Sequence, residues 1–386
     1  MTQHSRRQIL KGSLALAALG ALDVPAWALP SLAQGDAIVP FTDIPDNVRW
    51  ESPPDRRLLD VRTIDGLITP ADKFATLQHY GHPDVDPVAF RLKISGLVDR
   101  PVQLTVDNVK RLGSTDLVAS FECSGNRGPL NALCSSGRWT GAPLRTVLAS
   151  AGVKASAREF VFFGADGGDE DVEWRNEKFK IAVPFGRSLT REKALSSEPL
   201  LAWALNGAPL SKHQGAPLRL IVPGWYGVAN VKWLSQIHVQ ADPFTGKYQT
   251  RWYRTIRGEM IDGETTYTET AVTHMQLKSF VSRVTKNGAD CTITGVALND
   301  GTPLKSVDVK IDDGPWRAAA WDPATKEKYG WKLFSYVWRD AAPGDHAIVS
   351  RVTDITGKVQ PTPEENATKK SFLEDNSQLT RKIRIA

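Results

Sequence analysis

The chain has 386 residues, 41% hydrophobic and 24% charged, and 48 Lys and Arg against 43 Asp and Glu give a formal net charge of +5. This mild excess, with no clustered basic face, excludes the electrostatic footprint of a nucleic-acid binder. Three cysteines, Cys123, Cys134 and Cys291, are too few for a disulfide scaffold, and the length exceeds one ordinary core, so two domains are expected.

Ser5-Arg6-Arg7-Gln8-Ile9-Leu10-Lys11 precedes an uncharged Ala/Leu-rich run over residues 12–22 and then Ala26-Trp27-Ala28. Basic segment, short apolar segment and small-residue cleavage site follow the order of an export signal over residues 1–28, with cleavage possible as late as Ala33. A spanning helix needs about 20 apolar residues, so this run is too short to stay in the bilayer, and no later run approaches that length. The paired arginines predict the twin-arginine route and a periplasmic destination. Loss of Arg6, Arg7, Lys11 and Asp23 with the leader lowers the charge from +5 to +3.

Residues 39–62 are Pro-rich and predicted to wrap irregularly over the first domain. The segment Phe74-Ala-Thr-Leu-Gln-His-Tyr-Gly-His-Pro follows; its His79 and His82 would suit zinc only with a further Cys or His pair, which the neighbouring sequence lacks. Phe90, Leu92 and Ile94 alternate with polar residues as in a strand, and residues 105–112 read as a short amphipathic helix. Residues 118–128, VASFECSGNRG, then combine a short apolar strand with a turn-forming string that carries one thiol. A cysteine at the mouth of a strand, followed by glycines that let backbone amides approach a ligand, suits a soft metal bound through sulfur. A buried structural thiol and a Cys123–Cys134 disulfide are the alternatives.

Trp139-Thr-Gly-Ala-Pro143 is predicted to start a second helix that Gly152 ends. Residues 159–163 form an apolar strand running into Gly164-Ala-Asp166-Gly-Gly, expected to be a turn. Residues 218–224 read as a buried strand and turn, with Lys232 beyond it and Arg251-Trp-Tyr253-Arg254 further on. Past residue 273 the chain consists of short alternating strands parted by Gly, Pro and Asp, the texture of an antiparallel β-sandwich.

The run Glu122-Cys123-x-Gly125-Asn126-Arg127, with Trp139-Thr-Gly and GAPLRLIVPGWYGVANVKWL at residues 215–234, resembles the sulfite oxidase family of molybdenum enzymes over nearly all of the chain after the leader. That resemblance implies an α+β fold, with a mixed α/β molybdopterin-binding catalytic domain over residues 35–270. An immunoglobulin-like dimerisation sandwich over residues 273–386, and hence a homodimer, is also implied. The implied cofactor is molybdenum-molybdopterin, with Cys123 as the metal ligand. His79, Asp166, His213, Arg219 and Lys232 are the implied cofactor-binding residues, Arg219 and Lys232 serving the pterin phosphate. Tyr253, Arg127 and Arg251 are the implied catalytic groups around the substrate anion.

The chain departs from the family at three places. Leu77, Gln78 and His79 stand where well-known members read Arg-Asn-His, Gly128 stands in place of a second arginine, and Gln214 separates His213 from Gly215. Arg127, Arg251, Arg254 and Lys369 or Lys370 are the candidate replacement cations. The implied activity is oxidation of sulfite, or another small sulfur oxyanion, to its higher oxide. No Cys-x-x-Cys-His site and no four spaced cysteines are present, so electrons are expected to leave to a separate periplasmic c-type cytochrome. Rival readings are the sulfane dehydrogenase molybdenum subunit of a thiosulfate-oxidising complex, a methionine-sulfoxide-type reductase on the same cofactor fold, and a cofactor-free exported binding protein.

Overall fold

The computed structural model describes residues 35–52 and 56–386, so the expected leader lies outside the described residues. Strands dominate, and among the described residues there are three α-helices, Val106–Arg111, Leu144–Ala151 and Arg191–Ala194. None is long and apolar enough to cross a membrane. The first half is thus far richer in strand than the mixed α/β expectation, because its apolar residues mostly alternate or run in short blocks bounded by turns.

The first helix is fixed by a capping box: the Asn108 N–H donates to Thr105 Oγ1 while the Thr105 N–H donates to Asn108 Oδ1. In the second, Leu144, Val147, Leu148 and Ala151 fall at helical spacing and are all buried, and Gly152 ends it with φ 72°. Trp139 does not start that helix. It belongs to the Cys134–Pro143 strand, fully buried and paired with Leu117 and Leu205, and Pro143 is the N-cap.

Two five-stranded sheets position the cleft described below. One joins Ala208–Pro209, Leu200–Leu205, Cys134–Pro143 and Thr115–Glu122 in that order, with Arg219–Ile221 also on Leu200–Leu205. The other runs Glu177–Thr190, Glu159–Trp174, Leu234–Gln240, Leu92–Gly96, Val102–Leu104, and its pair Leu234–Gln240 with Leu92–Gly96 is parallel. Gly164-Ala-Asp166-Gly-Gly is not a terminal turn: the strand continues to Trp174. Gly186 pairs with Phe163 and Pro184 with Gly167, so residues 164–166 bulge opposite Phe185. A bulge re-aims side chains, and this one turns Asp166 and Phe185 into the cleft. A Cβ on Gly164 would stand 2.2 Å from Asp166 Oδ1, so a larger residue there would push the Asp166 carboxylate from its place.

The second half holds two further sheets. Ala37–Ile38, Lys278–Asn287, Asp290–Leu298, Lys332–Trp338 and Ala320–Trp321 form one, and Arg317–Ala318, Leu304–Ile311, Gly344–Asp354 and Thr380–Ile385 the other. Val284, Ile293 and Phe334 from the first meet Val307, Val309, Ile348 and Ile383 from the second in one apolar cluster, a two-layer sandwich. The chain's early segment joins this sandwich at its start: Ala37 and Ile38 pair with Lys286 and Thr285, and Val39, Phe41 and Ile44 are buried in the same cluster. The wrap expected over residues 39–62 is thus split: burial of those three apolar side chains draws the start to the sandwich, while Arg56 and Arg57 pair with Leu77 and Thr76, and Leu59 and Val61 are buried in the first half's core. On the outer side, Phe280, Val296 and Leu298 belong to the large cluster that includes Leu148, Phe160 and Leu220, so the two halves share a core.

Candidate active site

A cleft of about 800 Å³, part of it open to solvent, brings together His79, Cys123, Asp166, Arg219, Lys232 and Tyr253 among Phe74, Phe121, Phe185 and Val228. His79 and Tyr253, 174 positions apart, meet here. The Thr115–Glu122 strand delivers the thiol: Glu122 pairs with Cys134, and the Cys123 N–H donates to the Leu133 carbonyl at 2.9 Å. The following loop is tied down from below. Asn126 Nδ2 donates to Glu122 Oε1 at 3.0 Å, and its Oδ1 accepts from the Leu133 N–H at 2.9 Å.

Lys278 completes this support from the sandwich. Its Nζ donates to Glu122 Oε1 at 2.8 Å and to the Asn126 carbonyl at 3.1 Å, and both charged side chains are buried. Burial pushes the Cys123 thiol up to about 11, partly offset by a hydrogen bond from the Gly125 backbone. At neutral pH it therefore holds its proton until a metal displaces it. All three cysteines are free thiols, and Cys134 Sγ donates instead to the Asn131 carbonyl.

On the opposite wall His79 Nε2 and Tyr253 Oη share a 2.7 Å hydrogen bond. The imidazole stacks on Phe185 and lies 4.5 Å from Tyr248, ring centre to ring centre. Burial first, then Lys232 and Lys247, lowers His79 to about 4, so it is neutral at pH 7. Burial raises Tyr253 well above its ordinary value, so the phenol keeps its proton. Arg187, fully buried, donates to the Tyr248 and Val272 carbonyls at 2.6 Å each, and the Val272 N–H donates to the Tyr253 carbonyl, which locks this wall.

The third wall carries charge. Arg219 Nη1 and Nη2 donate to the Gln214 and Asn230 carbonyls at 2.8 and 3.0 Å, and its guanidinium lies over the Trp139 ring. Lys232 Nζ donates to Gln78 Oε1 at 2.8 Å and the Leu77 carbonyl at 3.0 Å. Burial and Arg219 lower Lys232 to about 7, and burial raises Asp166 to about 6.

Three expected site residues do not line the cleft. Arg251 is held outside it by Glu170 at 3.1 Å, because a surface guanidinium takes the nearest carboxylate. Arg127 points outward over the Phe372 ring, 5.0 Å away. His213 packs against His82, ring centres 4.4 Å apart, and is not on the cleft wall. The other candidate cations are engaged as well: Arg254 with Glu269, Lys369 with the Leu373 carbonyl, and Lys370 over Tyr267. Among the described residues no group of three or more His, Cys, Asp and Glu is placed to hold a metal; His79 bonds to Tyr253 and His82 packs against His213.

Lys278, Arg187 and Asn230 are residues the sequence reading passed over. Lys278 opens a strand whose first five residues are all buried, where only a buried partner makes a lysine tolerable, and no local pattern in the sequence marks it. Asn230 accepts from the Val222 N–H and donates to the Tyr226 carbonyl, which pins the loop between Arg219 and Lys232.

A molybdenum-pterin group fits these walls. Thr76 Oγ1, Asp166 Oδ1 and Arg219 Nε are buried on the cleft wall with no hydrogen-bond partner among the described residues, and native structures rarely leave such atoms idle without a ligand or water. A thiol suits a soft metal, while Arg219 and Lys232 suit a phosphate.

A family profile described as an oxidoreductase molybdopterin binding domain matches residues 79–248. Sulfite oxidase of Gallus gallus is 28% identical over 322 residues, which cover 76% of this chain and 68% of that protein. The mitochondrial sulfite oxidase of Homo sapiens is 28% identical over 77% of this chain, which spans 58% of the human protein's length. Among solved structures, the sulfane dehydrogenase SoxCD from Paracoccus pantotrophus superposes with a TM-score of 0.72 at 25% identity, over 88% of this chain and 90% of that one. A thiol-bearing cleft with idle polar atoms thus lies within a molybdopterin-binding domain, in a chain similar in sequence to sulfite oxidases and in fold to a sulfane dehydrogenase, which indicates a molybdenum-molybdopterin cofactor.

Proposed function

We propose that this protein oxidises a sulfur centre at molybdenum in the periplasm, most simply sulfite to sulfate, and hands the electrons to an external c-type cytochrome. The observation that carries the reading is the convergence of Cys123, the His79–Tyr253 pair and the Arg219 and Lys232 cations in one cleft. When bound, the cofactor supplies a two-electron sink at sulfur. Cys123 holds the metal, and metal binding releases the thiol proton, so loading favours higher pH.

Arg219 and Lys232 hold the pterin phosphate; an anion beside Lys232 keeps its ammonium charged. Tyr253 and His79 work as a neutral pair. As the Nε2–H tautomer His79 donates to the phenol oxygen and frees the Tyr253 O–H to donate to a substrate oxygen. Phe185 and Tyr248 shield the imidazole from water and keep it uncharged. Purified holoenzyme is expected to reduce ferricyanide when sulfite is added; no reduction by a fully loaded protein would count against sulfite.

A second reading, oxidation of a carrier-bound sulfane, is favoured by one feature of the cleft. Its two cations are already engaged by carbonyls and Gln78, and Arg127 and Arg251 lie outside it. A small dianion then meets little unspent positive charge. Turnover only with a persulfidated carrier protein would select this reading. The leader supports twin-arginine export, and the sandwich supports an immunoglobulin-like dimerisation unit, for which a dimer mass by light scattering is the check.

A further inference from the structure

Oxidation in the cleft leaves two electrons to be removed per turnover, and the aromatic side chains behind His79 lead outward. Tyr248 stands 4.5 Å from His79 and 5.9 Å from Trp252, ring centre to ring centre. Tyr248 is buried, whereas Trp252 is 58% exposed. Two ring contacts therefore join the cleft wall to solvent. Lys247 Nζ lies 4.3 Å from the centre of the Trp252 ring and marks the exit with positive charge.

The surface beside Trp252 is built for contact. A groove of about 730 Å³ lies between the Glu177–Thr190 strand and the Lys247–Arg251 turn, with Phe163, Ile181 and Phe244 on its walls. Beyond it the hairpin projects with two unlike faces. Phe179 pairs with Val172 and shares a face with Ile181 and Trp174, while Lys180 pairs with Asp171 and Lys178 with Glu173 on the other. Trp174, Phe179 and Ile181 are 65%, 45% and 43% exposed. A two-stranded arm with its apolar face in water is marginal by itself, and an apolar patch with a polar rim marks a protein contact. The charged residues lining the groove are Lys247 and Arg251, which share one carboxylate, Glu170, so the groove beside Trp252, rather than the hairpin, keeps a positive charge and suits an acidic group of a partner.

We propose that this face, centred on Trp252 and Ile181, is the docking site of a small acidic electron-carrier protein, with Tyr248 and Trp252 as the route by which electrons reach it. The proposal rests on the oxidative reading of the cleft. In each turnover the sulfur centre loses two electrons, gains one oxygen from water and releases two protons. Two ferric haem carriers dock in succession, and each is reduced to the ferrous state by one electron.

The test uses holoenzyme reduced stoichiometrically with titanium(III) citrate, so that no sulfur substrate is needed. It is mixed in stopped flow with a small acidic ferricytochrome c, and with ferricyanide in parallel. Binding of the oxidised holoenzyme to the same cytochrome is followed by calorimetry. Trp252→Ala and Ile181→Glu are expected to slow cytochrome reduction about tenfold or more and to weaken binding, with the wild-type rate falling as salt rises. Ferricyanide reduction should be unchanged, and Trp252→Phe should restore most of the cytochrome rate. Wild-type cytochrome rates and binding in both variants would overturn the assignment. So would conversion of a dimer to a monomer by Ile181→Glu, which would make the face a contact between copies. Failure of the reduced wild type to reduce even ferricyanide would overturn the redox reading of the cleft, and this assignment with it.

Discussion

Replacing Lys278 by methionine removes the ammonium that holds the cysteine loop from beneath. Lys278 Nζ donates to Glu122 Oε1 at 2.8 Å and to the Asn126 carbonyl at 3.1 Å, with side chains 3% and 2% exposed for the charged pair. Breaking a buried pair by removing one partner strands the other charge and costs about 3–5 kcal/mol, whereas replacing both together is close to neutral. Lys278→Met should therefore lower the stability of the cofactor-free protein by about 3 kcal/mol or more, and Lys278→Met with Glu122→Gln should recover most of that loss. Urea denaturation of the four proteins of this double-mutant cycle measures the coupling. Because the Asn126 carbonyl also loses its donor, the single variant should retain less molybdenum than wild type. A single-variant loss below about 1 kcal/mol, with additive losses in the double, would refute the assignment of this pair as the support of the loop.

The combined Arg219→Ala and Lys232→Ala variant should purify with markedly less pterin and molybdenum, read by fluorescence and metal analysis, since both cations are assigned to the phosphate and not to the substrate. Tyr253→Phe should keep its molybdenum but lose about 10- to 100-fold in kcat, because the phenol O–H and its bond to His79 are removed without changing packing. Asp166 titrates at about 6 when folded, against 3.8 ordinarily, so between those values the unfolded chain ionises first and stability falls as pH rises. Asp166→Asn should therefore leave the cofactor-free protein unchanged below about pH 4 and stabilise it above pH 6 by at most about 3 kcal/mol, measured as a urea midpoint across pH.

Much of the cleft was legible because its chemistry is local in sequence. Cys123, Glu122 and Asn126 lie within one short run, and Arg219 and Lys232 bracket a single strand and loop. What joins them was not legible, because it depends on contacts across long separations. Lys278 reaches Glu122 over 156 positions, and Arg187 reaches the Tyr248 carbonyl over 61. Asp166 read as a turn because flanking glycines are the usual turn chemistry; in the sheet the same glycines permit a bulge. Arg251 and Arg127 looked available as anion binders, yet Glu170 and the Phe372 ring claim them in the folded chain. The helix after Pro143 was placed well by its Pro and Gly signals. Trp139 was misplaced into it because burial between two strands overrode local pattern.

Binding of molybdenum by Cys123 is read from X-ray absorption at the molybdenum edge, on wild type and on Cys123→Ser purified alike. The wild type should hold about one molybdenum per chain, with a thiolate sulfur in addition to the pterin dithiolene. The variant should fold, with the same urea midpoint when both proteins are cofactor-free, and show one sulfur neighbour fewer or lose the metal altogether. An identical sulfur shell and full metal content in Cys123→Ser would contradict the assignment.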